Sequence, residues 1–255
     1  MPVAKDYKAL FKALKCCVLI PTYNNATTVA KVIEDVLHYS DDVCVVNDGS
    51  TDNTDDILHH YPTLKVHCYD HNRGKGWALR QGFEFAREKG YEYAITIDSD
   101  GQHYADDIPV FLEALENEKN SIFIGARNMN QSSVPGKSSF GNKISNFWFK
   151  FETGIKLADT QSGYRLYPIK ALEGMQFFTI KYEFEIEVIV RAAWSGINVK
   201  CVPIKVYYPP ADERISHFRP FQDFSRISVL NTILVTITLL WIKPRNHLRS
   251  LFGSD

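Results

Sequence analysis

The chain has 255 residues, a formal net charge of −1 and 45% hydrophobic residues. That length suits one large domain or one domain with an appendage, and the near-neutral charge supplies no global field to draw in nucleic acid. The five cysteines form no Cys-x-x-Cys pair and no zinc-spaced cluster with histidine, and an odd number of thiols set in apolar runs fits a reducing compartment.

The lysine-rich N-terminus lacks the continuous apolar stretch of a signal peptide. Residues 6–14 read as a short amphipathic helix, and a cytoplasmic protein is expected. Cys16-Cys17-Val18-Leu19-Ile20 is nearly unbroken apolar sequence, as in a strand covered on both faces. It ends at Pro21-Thr22-Tyr23-Asn24-Asn25. Val29, Val32, Ile33, Val36 and Leu37 then fall on one helical face, with Thr27 or Thr28 as N-cap. A second strand, Val43-Cys44-Val45-Val46, runs into Asn47-Asp48-Gly49-Ser50-Thr51-Asp52 and a helix carrying Ile57 and Leu58. A third strand is expected over 64–69. The next helix starts around Gly74-Lys75-Gly76 and presents Trp77, Leu79, Phe83 and Phe85.

Ile95-Thr96-Ile97-Asp98-Ser99-Asp100-Gly101-Gln102 follows. A buried strand is expected to end here and to deliver Asp98 and Asp100 to the rim of a sheet, on one face, since residues i and i+2 of a strand point the same way. Two adjacent carboxylates repel unless a cation lies between them. Such oxygen ligands, with Gln102 adding a neutral one, suit Mg²⁺ or Mn²⁺ with substrate phosphates completing the shell. The alternative is ordinary turn chemistry at Asp100-Gly101.

Ile108, Phe111, Leu112 and Leu115 mark another helix, and residues 121–126 a strand ending at Arg127. Residues 128–139, polar and without periodicity, read as a mobile loop near the site. Phe140, Ile144, Phe147, Trp148 and Phe151 form an aromatic helix stripe, either core or a surface touching a lipid or sugar acceptor. Asp159-Thr160-Gln161-Ser162-Gly163-Tyr164-Arg165 is a second polar cluster. Residues 182–194 read as a helix bearing three glutamates, and 199–208 as a strand. Arg214, His217, Arg219 and Arg226 precede the nearly uncharged 227–242, which is shorter than the roughly 20 residues of a transmembrane helix. A weakly amphipathic helix in the membrane interface is expected there; packing on the domain or on a second subunit is the alternative.

Strand, polar loop and helix alternate, which predicts an open α/β sheet with its ligand at the carboxyl ends of the strands. Here the polar loops all fall at those ends. A Walker loop is absent, and Gly74-x-Gly76 is misplaced for a dinucleotide fingerprint.

Pro21-Thr22-Tyr23-Asn24, Asn47-Asp48-Gly49-Ser50-Thr51-Asp52, Asn72-Arg73-Gly74-Lys75-Gly76, Asp98-Ser99-Asp100-Gly101-Gln102-His103, Gly125-Ala126-Arg127 and Ser162-Gly163-Tyr164-Arg165 stand in order along the chain. Together they resemble the inverting glycosyltransferases of family 2, within it the dolichol-phosphate mannosyltransferase group that acts on polyprenyl phosphates. The resemblance implies a nucleotide-diphosphate-sugar-binding fold of GT-A type, an open mixed sheet flanked by helices. It implies a catalytic domain over 1–220; the chain's own basic and apolar pattern adds an interfacial helix over 221–255, where many relatives carry transmembrane helices.

Carried over by position, Pro21, Thr22 and Tyr23 would line the base and ribose pocket and Asp48 would bond the base. Lys75 and Ser99 would join the nucleotide-sugar site. Asp98, Asp100 and Gln102 would hold nucleotide and divalent metal, Arg127 would stand beside the sugar phosphate, and Arg165 would be a further catalytic arginine. Arg214, His217 and Arg219 would meet an acceptor phosphate. For a hydroxyl acceptor, Asp159 is the candidate base.

The implied reaction moves a sugar from a GDP- or UDP-linked donor to a membrane lipid, most simply a polyprenyl phosphate, at the inner face of the membrane. Transfer to a hydroxyl of another lipid or glycan, or a non-catalytic nucleotide-sugar-binding subunit, stays open, as does a homo-oligomer. Asn25 departs from the glutamate that relatives often carry, and the segment after Arg214 matches them loosely.

Overall fold

The computed structural model describes residues 5–128, 136–208 and 219–252. Helix α1 (Tyr7–Ala13) opens the chain, its first turn capped by the Asp6 carboxylate accepting from the Ala9 amide at 3.1 Å. Strand β1 (Cys16–Thr22) is buried along its whole length. After it come α2 (Val29–Leu37), β2 (Val43–Asn47), α3 (Thr54–His59), β3 (Lys65–Cys68), α4 (Lys75–Glu88) and β4 (Tyr93–Thr96). Next are α5 (Ile108–Asn117), β5 (Ser121–Arg127), α6 (Gly136–Thr153), β6 (Arg165–Tyr167), α7 (Phe184–Trp194) and β7 (Asn198–Ile204). The chain closes on α8 (Pro220–Ile237), a π turn (Thr238–Ile242) and α9 (Lys243–Phe252).

The strands form one sheet in the order β3-β2-β1-β4-β6-β5-β7. Only β6 runs antiparallel to its neighbours β4 and β5, so the sheet is mixed, as expected. The period of two in β1 divides the core. Cys17 and Leu19 pack with α4 and α7 residues such as Leu79, Phe83 and Phe184 on one face. Cys16, Val18 and Ile20 pack with Val29, Ile33 and Phe111 of α2 and α5 on the other. Each buried Val, Leu, Ile or Phe of this kind contributes about 1.5–3 kcal/mol, and β1 carries no charged or amide side chain before Thr22. The five cysteines are all free thiols, three of them buried in this core.

Several boundaries differ from expectation. Strand β4 ends at Thr96, so Asp98 and Asp100 lie in the turn beyond it and share no strand face. Helix α6 begins at Gly136, inside the segment read as a loop; residues 129–135 of that loop lie outside the described residues. Strand β7 stops at Ile204, and Val206 instead pairs with His103 across an isolated bridge. The aromatic stripe of α6 is largely outward: Phe140 and Phe147 are exposed, and the α6 aromatic in the core is Phe149.

The C-terminal helix is longer than 227–242. Phe221–Leu248 is long and apolar enough to cross a membrane, yet it lies along the domain. Asp223, Leu230, Leu234, Thr238 and Ile242, on one stripe, are buried, and Leu230 and Leu234 belong to the core that contains α4 and α7. At its far end the Arg245 Nη2 donates to the Trp194 carbonyl at 3.4 Å. The outer side of the helix exposes Phe221, Phe224, Val229, Ile233, Leu240 and Trp241. The hydroxyls of Ser225, Ser228, Thr232 and Thr236 each donate to the carbonyl four residues back. Hydroxyls satisfied in this way present little unmet polarity to an apolar medium.

Candidate active site

Strands β1, β2 and β4 are parallel and end at one edge of the sheet, so the loops after them converge there. Their convergence frames a cleft of about 600 Å³. Pro21, Thr22, Tyr23, Asp48, Lys75, Asp98, Ser99, Asp100, Gln102 and Arg219, all singled out from the sequence, line it.

Ser99 fixes the turn that holds the two aspartates. Its buried hydroxyl donates to the Pro21 carbonyl at 3.2 Å and accepts from Asn25 Nδ2 at 2.8 Å. Thr28, which caps α2 in the backbone sense, sends its own hydroxyl to the Ser99 carbonyl at 2.6 Å. Asp100 turns back to accept from the Gln102 amide at 3.0 Å. The physical link between the carboxylates is therefore a tied turn. Burial, and then the charge of Asp98, push the Asp100 carboxyl up to about 6. Burial is the largest influence on Asp98 and works against its charge, but Lys75, His103 and Arg165 together hold that carboxyl below its ordinary value.

Lys75, in the first turn of α4, lies 2.9 Å from the Asp98 carboxylate and 3.1 Å from Glu185. Burial opposes its charge, yet the two acids raise its pKa. Glu185, delivered by α7, was not singled out from the sequence. The signal available was a charged residue on a helix otherwise apolar enough to be buried, which requires a partner. Gly163 lets these groups meet: a Cβ there would stand 2.6 Å from Lys75 Nζ and 2.7 Å from Asp98 Oδ2. Asp48 braces the entry to α4, accepting from the amides of Arg73 and Gly74 at 2.8 Å each and from Asn72 Nδ2 at 3.1 Å. Gly74 carries φ +105, a conformation that suits glycine.

Arg127 ends β5 and is gripped by Asp159. Nε donates to one carboxylate oxygen at 2.6 Å and Nη2 to the other at 3.1 Å. The same carboxylate accepts from the amides of Arg127, Gln161 and Ser162. Asp159 is fully buried, and both its oxygens are engaged. Arg165 is fully buried too, its nitrogens donating to the carbonyls of Ser162, Glu185 and Thr160. Its placement makes it the internal frame of the loop that carries Gly163. His103 sits against the Tyr164 ring with Nδ1 lacking a partner among the described residues. Burial pushes it down to about 4, so it is neutral at neutral pH.

The start of α8 closes the cleft. Asp223 accepts from the Arg219 amide at 2.7 Å and from Arg226 Nη1 at 3.1 Å, and Arg219, Asp223 and Arg226 all line the cavity with Lys181. Arg214 and His217 lie outside the described residues.

The residues present fit a divalent cation only when it comes with a substrate. Two neighbouring carboxylates, the charge of Asp98 adding to burial in raising the proton affinity of Asp100, form an electrostatic trap for a cation. No group of three or more His, Cys, Asp or Glu able to hold a metal alone occurs among the described residues. Asp98, Asp100 and Gln102 supply part of an oxygen shell, and phosphate oxygens would have to supply the rest.

Residues 17–175 match the model of the family described as Glycosyl transferase family 2. With that match over most of the catalytic sheet, the chain belongs to family 2 of the glycosyltransferases. The UDP-N-acetylglucosamine–dolichyl-phosphate N-acetylglucosaminyltransferase of Methanococcus voltae is 29% identical over 213 residues, covering 74% of this chain and 84% of that protein. The polyprenol monophosphomannose synthase of Mycolicibacterium smegmatis is 29% identical over 201 residues, covering 73% and 75%. Among solved structures, glucosyl-3-phosphoglycerate synthase from Mycobacterium tuberculosis, in complex with Mn²⁺, UDP and phosphoglyceric acid, superposes with a TM-score of 0.66. That alignment covers 92% of this chain and 81% of that one at 19% identity, a likeness of fold.

Proposed function

We propose that the protein transfers a sugar, with inversion, from a nucleoside-diphosphate sugar to a polyprenyl phosphate at a membrane surface. One observation carries the choice of acceptor. Among the described residues, the carboxylates that line the cleft are held, Asp100 apart: Asp48 by the 72–74 loop, Asp98 by Lys75, and Asp223 by Arg219 and Arg226; Asp159, the base considered for a hydroxyl acceptor, is clamped by Arg127 and loop amides. Asp100 stands next to Asp98 in the position suited to a metal. A hydroxyl acceptor must surrender a proton to a base; a phosphate arrives as the nucleophilic anion. Relatives named for dolichyl phosphate and polyprenol phosphate agree with this reading.

The donor nucleotide would occupy the side walled by Pro21, Thr22, Tyr23 and Asp48, with its diphosphate toward Asp98, Asp100, Gln102 and Lys75. A bound Mg²⁺ or Mn²⁺ would neutralise charge growing on the leaving diphosphate. Lys75 presents a fixed cation to the same charge, and Arg127, held rigid by Asp159, presents another. An oxygen of the acceptor phosphate attacks the anomeric carbon opposite the diphosphate. The bond from that carbon to the diphosphate oxygen breaks, and the nucleoside diphosphate departs with the electron pair. Arg219 and Arg226, at the cleft end of the apolar C-terminal helix, would receive the acceptor phosphate. The outward apolar side of that helix would lie in the interface at the inner face of the membrane.

The test is a reaction of purified protein, Mn²⁺, UDP- and GDP-linked sugars in turn, and a short polyprenyl phosphate in detergent. A glycosyl phospholipid formed with one donor is the expected product. Transfer only to hydroxyl acceptors, or no metal-dependent donor binding at all, would reject the reading.

A further inference from the structure

A second cavity, of about 860 Å³, shares no residue with the cleft. It opens where the C-terminal ends of α6 and α7 meet the junction of the π turn with α9. Phe151, Trp194 and Ile242 give it apolar walls, and Lys150, Lys243 and Arg245 give it three cations.

The cavity contains unmet polarity. Glu152 is 2% exposed, lines the cavity and has neither carboxyl oxygen partnered; Arg245 Nε is likewise buried without a partner. Burial raises the Glu152 carboxyl to about 8, so at neutral pH it is an uncharged O–H donor. Among the described residues no carboxylate forms an ion pair with Lys150, Lys243 or Arg245, and the Lys243 ammonium rests 4.2 Å from the centre of the Phe151 ring.

Two helix C-termini would favour a cationic ligand, but the chain caps their carbonyls itself. The Trp194 indole donates to the Glu152 carbonyl at 2.9 Å, and Arg245 donates to the Trp194 carbonyl. What is left over is positive charge and donors, the complement of a phosphate. One turn earlier on the same helix, Leu239, Leu240 and Trp241 are 48%, 75% and 66% exposed. Apolar chains could run along them from a phosphate seated at Lys243.

We propose that this cavity binds the phosphate headgroup of an anionic phospholipid, between Lys150, Lys243 and Arg245, with the acyl chains against Leu240 and Trp241. This rests on the membrane-surface part of the function proposed above. The site is separate from the one that would receive the acceptor phosphate. It would fix the rotation of the C-terminal helix on the bilayer and so the direction in which the cleft faces.

The experiment uses the full chain and calorimetry with soluble dihexanoylphosphatidylglycerol below its micelle concentration, beside inorganic phosphate and the zwitterionic dihexanoylphosphatidylcholine. Saturable binding of the glycerol lipid is expected, weakened about fivefold for each lysine removed in Lys150→Gln and Lys243→Gln. Both lysines are exposed, so these variants should fold, and their binding of Mn²⁺ with nucleotide should be unchanged. Equal affinity for inorganic phosphate would reject the lipid and leave a free-phosphate site. Affinity unaffected by both substitutions, or shared by phosphatidylcholine, would overturn the site altogether. Failure of the proposed sugar transfer would show instead in the donor reactions, which this measurement does not use.

Discussion

Arg127 and Asp159 form a two-point clamp in which Nε and Nη2 each reach a separate carboxylate oxygen, at 2.6 and 3.1 Å. The clamp decides between two roles for Asp159. As a positioning residue it acts through the planar guanidinium, which lysine cannot mimic. Arg127→Lys and Asp159→Asn should then each lower kcat/KM for a lipid phosphate by about 10- to 100-fold. A proton-accepting Asp159 would give a different pattern in steady-state kinetics, with Arg127→Lys near normal and Asp159→Asn inactive. Because Asp159 is buried, its replacement should also cost about 3 kcal/mol in urea unfolding.

Asp100 ties metal use to pH. Its carboxyl, at about 6, must lose its proton to ligate a cation. Affinity for Mn²⁺ with nucleotide, measured by calorimetry, should fall about tenfold for each pH unit below 6. Asp100→Asn should abolish this binding while leaving the circular dichroism and melting temperature close to those of the parent. Tight metal-dependent nucleotide binding in that variant would remove Asp100 from the shell.

Gly163→Ala tests the close approach at the loop after Asp159. The added methyl would displace Lys75 from Asp98, and the flexible lysine end can move. Stability should fall by only about 1–3 kcal/mol, whereas donor affinity should drop by tenfold or more. Unaltered donor binding would show that Lys75 does not need its present position.

Glu152 imposes a pH dependence on stability. Its folded value of about 8 lies above the ordinary carboxyl value, so the folded state holds a proton that the unfolded state releases. The stabilisation is complete below pH about 4.5 and is lost as pH rises toward 8. Glu152→Gln removes the charge at every pH. The drop in melting temperature between pH 5 and pH 8 should therefore be smaller in the variant, by about 2–4 °C for each kcal/mol recovered. An identical drop in both proteins would refute the assignment.

The outward side of the C-terminal helix predicts vesicle binding. Leu240→Ser with Trp241→Ser alters two exposed residues and should leave folding intact. Sedimentation with vesicles should weaken at least tenfold, at about 25 cal/mol per Å² of apolar surface lost from the contact. Turnover of a water-soluble acceptor analogue should be unaffected.

The sequence by itself determined the strands that build the site, because fully buried parallel strands require unbroken apolar runs and the polar loops must then fall at their ends. It also determined which loops converge, since Asp98, Asp48 and Pro21 each stand at or just past the end of such a run. Two kinds of fact required the tertiary structure. One is partnership at long range. Nothing local joins Lys75 to Glu185, or Arg127 to Asp159, and a carboxylate that looks free for proton transfer in sequence is consumed by an arginine 32 residues away. The other is which side of an apolar segment faces inward. Residues 227–242 read only as weakly amphipathic, and that pattern does not say which side packs; the stripe of Leu230, Leu234, Thr238 and Ile242 is the side buried here, with Leu230 and Leu234 in the core that contains α7. Burial is a property of the packed pair, and one helix on its own cannot state it.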